Sequence, residues 1–368
     1  MGAIRMRAIV ASVLLSGSLV LAACSSSNNT SSTGGESVDQ GFKIGMLLPE
    51  SKTTRYEQFD KPYMEAKLKE LCPKCEVLYQ NADQDSAKQQ SQAEAMLTQG
   101  AKVLILDAVD AKAAGGIVTN AQNQKVPVVA YDRLASGPVN YYVSFDNNKV
   151  GQVQGQALLA ALSANGADPK SGSIVMINGS PTDPNAADFK AGAHSVLDGK
   201  VNIGQEYDTP DWSPDKAQSE MEQGITAVGK DKIKGVYAAN DGTAGGAIAA
   251  MKGAAFTPIP PTTGQDAELA AIQRILAGDQ YMTVYKAIKP EAETAAAMAI
   301  AAATGKDYTG QTTVKKNNGT KDVTAVLLNP VAVNKSNIKQ TVIQDGFYTA
   351  DQICTAQYAQ ACQAAGIT

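Results

Sequence analysis

The chain has 368 residues, 44% hydrophobic and 18% charged, with a formal net charge of -4 at pH 7. That length suits about two domains with substantial cores, and the acidic balance excludes a nucleic-acid partner held by a basic surface. With one His and no clustered His/Cys/Asp/Glu spacing, neither a metal nor a cofactor is expected.

At the N-terminus, Arg5 and Arg7 precede an apolar run, Ala8 to Ala23, which ends in Leu21-Ala-Ala-Cys24. A positive start, an apolar core and small residues before a cut mark a secretion signal, and the run is too short and too terminal for a permanent span. Leu21-Ala-Ala-Cys24 resembles a bacterial lipobox, which implies removal of residues 1–23 and lipid attachment at Cys24. Residues 24–40, rich in Ser, Asn, Thr and Gly, read as a flexible tether of roughly 20 Å. This places residues 1–40 outside the fold.

From Phe42 onward strand and helix signals alternate with short connections, the pattern of an α/β fold with parallel sheets. Apolar runs at Phe42–Leu48, Glu76–Tyr79, Val103–Leu106 and Val126–Tyr131 predict strands. Helices are predicted between them at Phe59–Leu71, Ser86–Gln99 and Ala111–Gln124, where apolar residues recur three or four apart. Cys72-Pro-Lys-Cys75 follows the first helix rather than opening one, which disfavours a redox motif.

Tyr141–Asp146 has no long helix before it and reads as a crossover. The pattern then restarts with helix Val150–Leu162, strand Ser173–Asn178, helix Asp188–Leu197, strand Val201–Tyr207, helix Pro214–Val228, strand Ile233–Ala238 and helix Gly245–Lys252. The proline-broken Thr257–Gln265 is a poor strand anywhere but a sheet edge. Tyr281–Tyr285 predicts a second crossover, Glu291–Ala303 an alanine-rich helix and Val323–Val333 a third crossover. Two Rossmann-like lobes joined by three crossovers make a clamshell: 42–145 with 286–323, and 146–285 with 324–348, leaving 349–368 as a C-terminal extension.

Besides Cys24, four cysteines remain: Cys72, Cys75, Cys354 and Cys362. An exported chain with an even number favours disulfides, and three pairings are possible. The local pairs, Cys72 with Cys75 and Cys354 with Cys362, are the expected ones. The second needs the chain to fold back, since eight residues of straight helix separate Cα atoms by about 12 Å, against about 4.4–6.8 Å in a disulfide.

Polar residues follow the strands again and again. Asp132 and Arg133 close Val128–Tyr131, Asn185 follows Ile174–Asn178, Asn240 closes Val236–Ala239, Asp266 sits in Gly264-Gln-Asp-Ala-Glu268, and Lys286 closes Met282–Tyr285. In parallel α/β sheets that edge opens onto the ligand crevice. Arg55 and Tyr56 after the first strand, and Trp212 in an Asp/Pro-rich loop, complete the candidates. Carboxylates, amides and guanidiniums satisfy hydroxyl groups in pairs, and flat aromatic faces cover the C–H side of a sugar ring. The structural alternatives are that Asp132, Asp241 and Asn185 cap turns or helices, that Arg133 and Lys286 are solvated strand ends, and that Tyr56 and Trp212 simply pack. His194, mid-helix, reads as structural. Gly242–Gly246 lacks the residues of a phosphate-binding loop, and Arg133 and Lys286 would keep Asp132 and Asp266 ionised, which argues against a glycosidase acid.

With these residues assembled, Phe42 to Tyr348 resembles the periplasmic sugar-binding proteins of ABC importers, particularly the branch that binds D-xylose or several sugars. The resemblance rests on Arg55-Tyr56, Ala130-Tyr-Asp-Arg133, Ser144-Phe-Asp-Asn147, Gly179-Ser-Pro-Thr-Asp-Pro-Asn-Ala186, Asn240-Asp-Gly-Thr-Ala-Gly-Gly246, Gly264-Gln-Asp-Ala-Glu268, Thr283-Val-Tyr-Lys286 and Asn317-Asn-Gly-Thr-Lys-Asp322. It implies a type I periplasmic-binding-protein fold, with Arg55, Asp132, Arg133, Asn185, Asn240, Asp266 and Lys286 bonding the sugar while Tyr56 and Trp212 stack on its faces. Tyr56 departs from the Trp expected there.

The resemblance further implies a non-enzymatic, monomeric, extracytoplasmic subunit, held to the outer face of the cytoplasmic membrane only by its lipid. It would bind D-xylose first, with glucose, galactose or arabinose behind it, and deliver the sugar to an ABC permease. A binding protein that presents its sugar to a chemotaxis or signalling receptor is the alternative. A two-lobed repressor would need a DNA-binding domain where this chain has its signal and tether.

Overall fold

The computed structural model describes residues 35–367. The leader 1–23, Cys24 and the tether up to residue 34 lie outside the described residues. In chain order the first half runs β1 (Lys43–Leu48), a π-helical turn (Tyr56–Asp60) continuing into α1 (Lys61–Leu71), β2 (Glu76–Asn81), α2 (Ser86–Thr98), β3 (Ala101–Leu106), α3 (Gly115–Asn123), β4 (Val128–Tyr131) and β5 (Tyr141–Phe145). The next part comprises α4 (Asn147–Leu162), β6 (Ser173–Asn178), α5 (Pro184–Leu197), β7 (Asn202–Asp208), α6 (Pro214–Val228), β8 (Ile233–Ala238), α7 (Asp241–Gly253), α8 (Leu269–Ala277) and β9 (Thr283–Tyr285). Last come α9 (Ile288–Ala303), β10 (Val314–Asn317), β11 (Asp322–Leu328), β12 (Val331–Val333), α10 (Ala350–Ile353) and α11 (Ala359–Ala364).

Seven strands form the larger sheet in the order β10-β11-β5-β4-β3-β1-β2, parallel throughout except for the antiparallel pair β10 and β11. Its central strands carry continuous apolar runs because helices cover both faces. Ile44, Met46 and Leu48 pack with Met64 and Leu68 of α1 and Ala292, Ala295 and Ala299 of α9. Leu47, Leu104 and Leu106 face Met96 of α2 and Ile117 and Val118 of α3 on the other side.

The second sheet has the parallel order β7-β6-β8. Leu158 of α4 and Phe189 of α5 cover one face, while Met221 of α6 and Ile248 of α7 cover the other. Each layered body is thus a helix–sheet–helix sandwich, the type I periplasmic-binding-protein architecture expected from the residues.

Several details differ from the sequence reading. Residues 35–40 are not a free tether: Glu36 N–H donates to the Ala303 carbonyl at 2.8 Å, and Val38 packs against the first core. The third crossover does not begin at 323. β11 stays hydrogen-bonded to β5 through Leu328, and the chain passes to the second body only between Leu328 and Val331, where β12 pairs with β9. The apolar run that closes Asp322–Leu328 fits an inner strand, and Asn329-Pro330 ends it.

The proline-broken segment is not an edge. Val236 N–H donates to Pro261 O and Thr263 N–H to Val236 O, while Val284 N–H donates to Gly264 O and Asp266 N–H to Val284 O, so the segment bridges β8 and β9. Its prolines, 258, 260 and 261, all precede the residues whose N–H groups make these bonds, which is why the sheet tolerates them. β10 and α8 had no counterpart in the reading.

The structure pairs Cys72 with Cys75 and Cys354 with Cys362, with Cα separations of 5.3 and 5.9 Å. The chain folds back between α10 and α11, as the second pair requires. By loop-closure entropy, replacing Cys354 and Cys362 together by Ser is expected to cost about 2–3 kcal/mol, read as a lower midpoint in urea. An unchanged midpoint would show that packing alone holds the extension.

Candidate ligand-binding site

The nine side chains singled out above meet at the strand ends where the two bodies face each other. They line one cavity with about 280 Å³ of empty space, part of it open to solvent, together with Thr53, Asp183, Phe189 and Gln265. Its convergent polar lining between the two bodies is that of a small-molecule site.

Backbone geometry aims several of these groups. Asp132 (φ +51°) and Asp266 (φ +88°) adopt the left-handed conformation, as do Asp211 (φ +59°) and Trp212 (φ +53°). Such residues cost about 1–3 kcal/mol each and persist where the surroundings hold them, commonly at functional sites. Just before Asn240 and Asp266, Gln154 of α4 secures the chain, donating to Ala238 O at 2.9 Å and Gly264 O at 3.0 Å. Gly264 has no substitute there, since a Cβ would lie 2.0 Å from Asp241 Oδ1.

Charge dominates the site. Arg55 Nη2 donates to Asp60 Oδ1 at 2.6 Å and to Glu291 Oε2 at 2.7 Å, while its Nη1 lies 3.5 Å from Asp132 Oδ1 and 4.0 Å from Asp266 Oδ1. Lys286 Nζ is 3.0 Å from Asp266 Oδ1 and 3.9 Å from Asp132 Oδ1. All three cleft cations, Arg55, Arg133 and Lys286, are no more than 3% exposed, so they are not the solvated strand ends that the sequence left open for Arg133 and Lys286. Burial of Asp132 pushes its carboxyl up. The attraction of Arg55, Lys286 and Arg133 outweighs this and brings it down to about 2. Glu291 behaves oppositely: burial and the nearby Asp132 and Asp60 raise it well above the ordinary range in spite of Arg55.

Two buried acceptors of the cavity lining are left without a protein hydrogen bond. Gln265 Oε1 has none, and Asp266 Oδ1 has only the ion-pair proximity of Lys286 and Arg55. Buried acceptors of this kind cost roughly 1–3 kcal/mol unless something donates to them, and ligand hydroxyls are suitable donors.

The amides are partly committed. Asn240 caps α7, its Oδ1 accepting from Thr243 N–H at 2.9 Å, which leaves its NH2 group for the cavity. Asn185 is not the cap of α5; that is Asp183, whose Oδ1 accepts from Asn185 N–H at 2.9 Å. The Asn185 amide instead bridges the bodies, donating to Asp132 O at 3.0 Å and accepting from Asn147 Nδ2 at 2.8 Å. Asp241 points away into a structural network, bonded to Gln280, Thr283 and Glu268 N–H, and burial raises its carboxyl to about 7.

Trp212 is buried against the Gly179 backbone, where a Cβ would come within 2.0 Å of the ring, and meets Phe189 edge-on at 6.3 Å. Its Nε1–H donates to Asp183 Oδ2 at 3.1 Å. The Tyr56 ring lies 5.2 Å from the Arg55 guanidinium and 5.8 Å from that of Arg133. Its hydroxyl donates to Asp132 Oδ2 at 3.3 Å and accepts from Arg133 Nη2 at 3.2 Å, so Tyr56 braces the charged groups as well as lining the cavity. His194 lies outside the cavity, its Nδ1 2.8 Å from Asp198 and its Nε2 3.1 Å from Glu206.

Sequence reasoning missed Thr53, Asp183, Phe189 and Gln265. Gln265 stands beside Asp266 on the same polar edge, and Phe189 is one helical turn beyond Asn185, so both had a positional signal. Asp183 lay within the quoted Gly179–Ala186 motif, read only for its asparagine. Among the described residues no cluster of His, Cys, Asp or Glu is placed to hold a metal ion.

The chain matches the periplasmic binding protein domain over residues 44–307. It is 38% identical over 317 residues to the D-xylose-binding periplasmic protein of Escherichia coli (strain K12), covering 84% of this chain and 92% of that protein. To the multiple sugar-binding periplasmic receptor ChvE of Rhizobium radiobacter it is 34% identical over 293 residues, covering 74% and 82%. An ABC transporter solute binding protein from Clostridium phytofermentans, solved with bound β-D-glucose, superposes with a TM-score of 0.78 at 31% identity, covering 84% of this chain and 99% of that one.

Proposed function

The chain belongs to the periplasmic binding protein family, and from that premise we propose that it is the extracytoplasmic sugar-binding subunit of an ABC importer, closing around one monosaccharide. The observation that carries this reading is the cleft cavity, walled by charged and amide groups from both bodies together with the aromatic rings of Trp212 and Phe189. A ligand favours closure only through contacts to both halves at once. Here Arg55, Asp132 and Arg133 belong to the first body, and Asn185, Asn240 and Asp266 to the second.

D-xylose is the first choice, supported by relatives of that name at 38% and 36% identity. Glucose follows, supported by the glucose-bound neighbour at 31%. Asp132, Arg133, Asp266 and Lys286 bond hydroxyls, Asn185 and Asn240 add amide contacts, and Tyr56 and Trp212 cover the ring. A micromolar dissociation constant corresponds to about -8 kcal/mol, within reach of several charge-assisted hydrogen bonds and stacking after the cost of ordering. We further propose a monomer anchored through Cys24, which delivers its sugar to the permease. The receptor name of one relative supports a sensing role as the second reading.

A thermal-shift screen of pentoses, hexoses and polyols tests the proposal. A ligand at a hundred times its dissociation constant stabilises the protein by about 2.7 kcal/mol. D-xylose is expected to give the largest shift and to change the emission of Trp212, the sole tryptophan. No shift with any sugar would overturn the reading, and a shift without a change in emission would remove Trp212 from the contact.

A further inference from the structure

We infer that Asp183 is a positioning residue that couples the two bodies: it fixes Trp212 and Asn185 on one side of the cleft and grips Arg133 from the other. The inference rests on the sugar-binding reading of the cavity and deepens it.

Three elements converge on this one carboxylate. Oδ1 caps α5 and accepts from Asn185 N–H at 2.9 Å. Oδ2 accepts from Trp212 Nε1 at 3.1 Å and lies 3.0 Å from Arg133 Nε. The last contact joins α5 in the second body to the end of β4 in the first, and it is an ion pair without a straight hydrogen bond. The side chain is 4% exposed, so these contacts are poorly screened.

The Arg133 surroundings make Asp183 hard to replace. Of the other acids near its guanidinium, Asp107 is 3.6 Å away with neither carboxylate oxygen hydrogen-bonded, and Glu50 acts on it from beyond ion-pair distance. Arg133 also donates to Ala108 O at 3.2 Å and to the Tyr56 hydroxyl. Without Asp183, the guanidinium remains tied to the first body alone. Opening the clamshell separates Arg133 from Asp183, while Trp212 and Asn185 travel with Asp183. Closure therefore sets the indole, the Asn185 amide and the guanidinium in register through one group.

Asp183→Ser separates this role from simple helix capping, because serine is a good N-cap but too short to reach Trp212 and Arg133. The expected result is a folded protein with a lowered ligand-free melting temperature, because the buried Arg133 loses its nearest anion, and with a shifted Trp212 emission in the ligand-free state. Affinity for the sugar identified by the screen should be weaker by roughly tenfold or more. In an Arg133→Ala background the same change should cost less than it does alone, the remainder being the loss of the Trp212 contact, since neighbouring contacts are not additive. Where serine loosens the fold, Asp183→Asn serves instead: it keeps the size and one acceptor but presents an NH2 group to another donor. Unchanged emission and affinity would reduce Asp183 to a cap, and additive effects with Arg133→Ala would remove the bridge. If no sugar binds the unaltered protein, the functional reading fails, while the ligand-free emission still decides whether Asp183 holds Trp212.

Discussion

Asp266→Asn is expected to weaken binding of the cognate sugar by roughly tenfold to more than a hundredfold, measured by titration calorimetry, with the fold retained. A hydrogen bond to a charged group is worth about 1.5–3 kcal/mol, and each 1.4 kcal/mol is a factor of ten. Asp266 Oδ1 has no hydrogen bond within the protein, so a sugar hydroxyl is its natural donor. Asparagine keeps the shape and the left-handed backbone conformation, which it tolerates better than most residues. Both changes leave Asp132 at 3.9 Å as the nearest anion of Lys286, but alanine is the poorer probe because it also removes the oxygen acceptor that asparagine keeps beside that ammonium. Affinity within threefold of the unaltered protein would mean that Asp266 serves Lys286 rather than the ligand.

The two-lobed α/β design was legible because the central strands are apolar runs and most are followed by a helical period. The same regularity exposed Asp132, Arg133, Asp266 and Lys286, polar residues at the ends of such runs. What supports them was hidden. Asp60 sits in a π-helical turn before α1, and Glu291 in an alanine-rich helix 236 positions from the Arg55 it pairs with, a separation that no periodicity reports. Asp107 follows β3 as plainly as Asp132 follows β4, yet only tertiary packing tells that one is an orphan behind Arg133 and the other faces the cavity.

The segment after Phe256 misled for a related reason. Its prolines argue against an inner strand, but bonding resumes just beyond them, and the strand is completed by long-range partners on β8 and β9. The third crossover was misplaced because Val323–Val333 is mostly apolar on both sides of its break. The switch between sheets depends on Asn329-Pro330, a break only two residues long.

Arg55→Met should have the largest effect of all, a loss of about 3–5 kcal/mol in folding stability at pH 7 together with loss of sugar binding. Removing one partner of a buried ion pair leaves an uncompensated charge at that order of cost, and Arg55 serves Asp60, Glu291 and Asp132 at once. The dependence on pH distinguishes charge from packing. In the unaltered protein Asp132 is held down to about 2, so it contributes stability that is present above the unfolded carboxyl range, near pH 4, and is lost as pH falls toward 2. Glu291, raised by burial, makes the opposite contribution, which declines as pH rises through its folded value. Without Arg55 both carboxyls are pushed upward. The folded variant then binds more protons than the unfolded chain, and its stability falls as pH rises. The gap between variant and unaltered protein should therefore narrow steadily from pH 8 to pH 4 in urea titrations. A constant gap would assign the Arg55 contribution to packing of its side chain rather than to its charge.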